Sequence, residues 1–107
     1  MNFDFEATFE SMVNAAQTEL LEDTEQIRSQ TKQILEDEKD RLKLIAAIKL
    51  DPTATDAEFD IALENEKNVL KNATLALEIQ VRATAQQAIN AAINVLNTAL
   101  NTAIQAL

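Results

Sequence analysis

Apolar residues return at every seventh position through the first half of the chain, at Val13, Leu20, Ile27, Ile34 and Ile48, with Arg41 breaking the series. A seven-residue repeat held over that length predicts a helix with one apolar seam and a left-handed supercoil. The seam is thinnest over residues 22–33, EDTEQIRSQTKQ, where Ile27 stands nearly alone. The least protected backbone is expected there.

One clear boundary interrupts the pattern, Leu50-Asp51-Pro52-Thr53-Ala54-Thr55-Asp56. Pro52 disfavours a helical conformation at Asp51, and Thr55-Asp56-Ala57-Glu58 matches the capping box that opens a helix. The expected fold is therefore all-α: a helix over about residues 4–50, a turn at 51–55 and a helix over about 55–107. At 1.5 Å per residue each helix would be on the order of 70 Å long. A short connection folds such helices antiparallel, giving one coiled-coil-like helical hairpin domain over residues 1–107. Basic Lys39, Arg41, Lys43 and Lys49 before the turn face acidic Asp56, Glu58, Asp60, Glu64 and Glu66 after it. That pattern sets register more than stability, because exposed pairs contribute only about 0.2–1 kcal/mol each.

Residues 83–107 contain no charge. On a helix they divide into three faces: an Ile/Leu ridge of Ile89, Ile93, Leu96, Leu100, Ile104 and Leu107; a shallow face of Ala85, Ala88, Ala92, Ala99 and Ala103 beside Val95; and an amide stripe of Gln87, Asn90, Asn94, Asn97, Asn101 and Gln105. A two-helix hairpin gives each helix one neighbour, which covers the ridge or the alanine face but hardly both. An exposed ridge forgoes roughly 1.5–3 kcal/mol per large side chain, so ridge and alanine face together are expected to form an interface with another chain. Hairpins would then pair into a four-helix bundle or a larger assembly. The amide stripe is compatible with solvent, with burial against other amides or with a polar channel.

At the N-terminus Phe3, Phe5 and Phe9, with Met12 and Val13, form an aromatic cluster that would lie alongside residues 92–102 and seal the end of the core.

Composition narrows the function classes further. The chain has no Gly, Cys, His, Trp or Tyr, and one Pro. Phosphate loops that need glycine, thiolate or imidazole nucleophiles and the commonest transition-metal ligands are all ruled out. No catalytic, cofactor-binding or metal site is expected. The acidic runs Glu22-Asp23-Glu25 and Glu36-Asp37-Glu38-Asp40 read as solvated faces, since adjacent residues on a helix point in different directions. A net charge of −9 sets the field against nucleic acid. Four Asn and three Gln in the C-terminal stretch argue against a transmembrane span, leaving peripheral contact with an apolar surface as the membrane-related alternative. The opening MNFDFEATFE carries acids where a secretory signal carries bases, which points to a cytoplasmic protein or one exported by a dedicated machine. The leading expectation is a non-enzymatic subunit that forms a homo-oligomer through its charge-free helix. The alternative is a small acidic module that offers an apolar face to a protein partner.

Overall fold

The computed structural model describes residues 3–106, and all the regular structure in them is helical. The helices are α1 (Phe5–Glu19), α2 (Glu25–Asp37), α3 (Lys39–Leu50), α4 (Asp56–Thr74) and α5 (Ile79–Gln105). Glu38, with φ −104° and ψ 9°, is the single residue between α2 and α3. The turn at 51–55 lies where Pro52 places it. The helix of 4–50, however, is broken at residues 20–24, and that of 55–107 is broken at 75–78. The described chain measures 42 × 23 × 17 Å, well short of a rod of about 70 Å.

The extra breaks have a physical cause in α5. An isolated pair of rods leaves either its ridge or its alanine face in water. Folding each half back on itself brings other helices onto both faces, and α5 packs against α1, α2, α3 and α4 alike. Ile89, Ile93, Leu96 and Leu100 are buried together with Ala85, Ala88 and Ala92. Seven of the twelve residues expected at an interface are thus covered within one chain.

The breaks form without glycine, and no described residue has a positive φ. The usual left-handed cap for orphan carbonyls at a helix C-terminus is therefore missing. An arginine from the following helix replaces it. Arg28 donates to the carbonyls of Leu20 (3.4 Å) and Asp23 across the first break. Arg82 donates to those of Leu75 (2.8 Å) and Leu77 (3.0 Å) across the second. The two arginines end similar triplets, Gln26-Ile27-Arg28 and Gln80-Val81-Arg82, and residues of both turns line one cleft. Both breaks accordingly lie at the same end of the molecule.

Helix starts follow local capping chemistry. Asp4 Oδ1 accepts from Ala7 N at 3.1 Å, Thr24 Oγ1 from Ile27 N at 3.4 Å, and Thr55 Oγ1 from Glu58 N at 3.1 Å. Asp51 Oδ1 accepts from both the backbone N and the hydroxyl of Thr53, which fixes the Pro52 turn.

Phe5, Phe9, Met12 and Val13 are buried as α1 packs against α5, with the two rings 5.9 Å apart. Val13, Leu20 and Ile27 are buried as well, but Ile34 and Ile48 lie at the edge of the core while Leu35, Leu42, Ile45 and Ala46 occupy it. The seven-residue repeat crosses two breaks, and α2 and α3 each meet the core as separate helices with their own facing, so the late heptad positions fall beside the seam rather than on it. The charge pattern is only partly used across the turn. Lys49 Nζ lies 3.7 Å from Asp56 and 4.8 Å from the centre of the Phe59 ring. Lys39 reaches Glu6 of α1 at 2.6 Å, while Arg41 pairs with its neighbour Glu38 at 3.9 Å.

Candidate functional site

The residues expected to form an interface on α5 lie mostly inside the molecule. Beside the seven buried ones named above, Val95, Ala99, Ala103 and Ile104 are half-buried; Leu107 lies outside the described residues. Among the described residues, the ridge from Ile89 to Leu100 is covered within the chain, and Ile104 is covered in part. The amide stripe faces solvent at Gln87, Asn90, Asn94, Asn101 and Gln105, with Asn97 half-buried. A different amide, Gln86, turns inward and donates to the buried Thr74 hydroxyl at 3.0 Å, which in turn donates to the Lys71 carbonyl.

Exposed apolar surface occurs elsewhere. Leu21, Leu75 and Ile79 project near the two arginine-closed turns, and Leu44 (66% exposed) and Val69 (42%) flank a groove of about 290 Å³ between α3 and α4. Ile48 and Ala62 continue its apolar wall, Arg41 and Asn65 add polar edges, and Glu66 completes the lining.

Glu66 is the unusual member. The buried stripe of α4 runs Phe59, Leu63, Glu66, Leu70 and Thr74, so helical spacing carries a carboxyl group into a row of core positions. Its side chain is 1% exposed, and neither carboxylate oxygen has a hydrogen-bond partner. Burying an ion without partners is costly, and the group responds by holding its proton. Desolvation, followed by the proximity of the Glu38 carboxylate and its charge, pushes the Glu66 carboxyl from the ordinary 4.5 up to about 8, with Arg41 pulling the other way. The Glu38 carboxylate faces both the Glu66 carboxyl and Arg41. The cluster sits where α2 gives way to α3.

Chemically, the groove offers apolar walls, one guanidinium at its edge and one buried carboxyl that lacks an incoming donor. Sequence reasoning passed over Glu66, grouping it with the exposed acids of α4. The available signal was its place three residues after Leu63 and four before Leu70. Of the two acidic runs, only the second reaches this site, through Glu38, and among the described residues no three acidic side chains converge as a metal cage would require. No described helix is long and apolar enough to cross a membrane. Neither a protein-family model, nor a curated protein, nor a solved structure matches the chain.

Proposed function

We propose that this chain is a non-enzymatic, acidic helical module that binds a protein partner through the groove between α3 and α4. The observation that carries the reading is the combination of exposed Leu44 and Val69 with the buried, unpartnered Glu66 carboxyl in one groove. Apolar surface beside an unsatisfied polar group is stabilised by an occupant that covers the one and donates to the other. Assembly through the charge-free helix has less support, because its ridge and alanine face are largely occupied within the chain.

Two measurements test this reading. Light scattering over a wide concentration range should give the 11.8 kDa mass of one chain. A photo-crosslinking residue in place of Leu44, activated in the native cell, should form an adduct with a different protein, whereas the same residue at exposed Asn94 should not. An adduct with a second copy, with mass rising with concentration, would favour self-assembly; equal labelling at both positions would remove the groove from the function.

A further inference from the structure

We infer that the occupant of the α3–α4 groove is a basic amphipathic helix, seating apolar side chains against Leu44, Ile48 and Val69 and placing one Lys or Arg on the Glu66 carboxylate. The inference rests on the binding reading above and adds the chemistry of the partner.

Three observations converge on a cation. Both Glu66 oxygens lack a donor although the side chain is nearly fully buried, and the group they face most directly is the Glu38 carboxylate, so once its proton leaves, Glu66 is an anion with no cation bonded to it. Acidic residues outnumber basic ones by 18 to 9, so the long-range field steers a basic partner toward the molecule. The groove walls are aliphatic, which suits the methylene stem of a Lys or Arg as well as the apolar anchors on either side. An anionic partner would be drawn to Arg41, but that guanidinium already faces Glu38 and is two-thirds exposed. A neutral donor would satisfy Glu66 without using the field at all.

Cation binding is coupled to a proton. The charged groups facing Glu66 are Glu38 and Arg41 from the α2–α3 side. On its own helix Glu64 and Lys67 point to solvent, and the sole charge of α5, Arg82, is engaged with the Leu75 and Leu77 carbonyls. Since burial and Glu38 keep Glu66 protonated at neutral pH, a Lys or Arg that binds its ionised form must expel the proton. Affinity therefore climbs with pH, by up to about tenfold per unit below about 8, and levels off above it. Exposed carboxylates, already ionised, give no such rise.

The test uses the full chain and a panel of synthetic Leu/Ala/Lys helices of about 15 residues, with Lys-to-Gln counterparts. Binding is followed by fluorescence anisotropy and by amide chemical shifts between pH 6 and 9. Basic peptides should bind with shifts centred on α3 and α4, and the Lys-to-Gln peptides should bind about tenfold or more weakly. Glu66→Gln should lose a similar factor and show a flat pH profile. Leu44→Gln, at an exposed position that leaves the fold intact, should also weaken binding. Equal affinity for Glu66→Gln and the natural chain, a flat profile in the natural chain, or shifts centred elsewhere would overturn the inference. If no basic peptide binds while Leu44 still crosslinks to another protein, the basic partner falls and the binding module stands.

Discussion

Arg28 and Arg82 occupy the same place in two different helices: each is the fourth residue of its helix, α2 or α5, and each donates its guanidinium to carbonyls of the turn just before. In a chain without glycine these contacts do what a left-handed cap does elsewhere. Replacing either arginine with Ala should destabilise the fold by about 1.5–3 kcal/mol, the range for hydrogen bonds from a charged donor. Lys should restore only part of the loss, because an ammonium cannot span two carbonyls as a planar fork does. Urea denaturation of the four single variants measures both effects.

Glu66 gives stability an unusual pH dependence. Its carboxyl is raised in the folded chain from 4.5 to about 8, so over that interval the folded state binds more protons than the unfolded one. The contribution is fully present below 4.5 and is lost as pH rises through about 8. Glu66→Gln should flatten this decline and, near pH 8.5, should be more stable than the natural chain by on the order of 1–3 kcal/mol. Denaturation midpoints from pH 5 to 8.5 would show it; parallel curves for the two proteins would mean that the group is not desolvated.

Substitutions on α5 should separate its faces. Ala92→Leu inserts bulk into a fully buried position and should cost about 1–3 kcal/mol by overpacking. Asn94→Lys, on the exposed amide stripe, should change stability by less than about 0.5 kcal/mol. Thermal unfolding of both variants decides the matter, and a large loss from Asn94→Lys would place the stripe in an interface.

Hydrogen exchange should be fastest at the two breaks rather than across the whole polar stretch of 22–33. α2 spans most of that stretch and anchors it through buried Ile27, Thr31 and Leu35. Amides of residues 21–23 and 76–79 should exchange first, and those of residues 31–35 should be clearly slower. Uniform exchange across residues 22–33 would restore the view of a weak seam.

Loss of the Thr55 cap offers a local check on the α4 start. Thr55→Ala removes the acceptor for Glu58 N and should cost about 1 kcal/mol in urea denaturation. Thr53→Ala instead removes a hydroxyl that donates to Asp51, on the other side of the turn.

Local chemistry made part of this molecule legible in its sequence. Helical character, the Pro52 turn, the Thr55 cap and the three faces of α5 depend on short-range sterics, capping and a 3.6-residue period, all written within a few residues of one another. The breaks at 20–24 and 75–78 escaped that reading because neither contains Gly or Pro; what holds them is a guanidinium from the next helix, a contact that exists only once the chain has turned. Glu66 escaped for a related reason. Its spacing marks it as a core position, but its burial follows from α4 lying against α3 and the α2–α3 junction. The sequence by itself determined that α5 must be surrounded by protein, since both its apolar faces need cover. How much of that cover the same chain supplies was a tertiary decision, made when each long helix folded back and brought α1, α2, α3 and α4 onto α5. Apolar burial has no preference for the chain that supplies it, and helices of the same chain arrive without the loss of translational freedom that association between molecules entails.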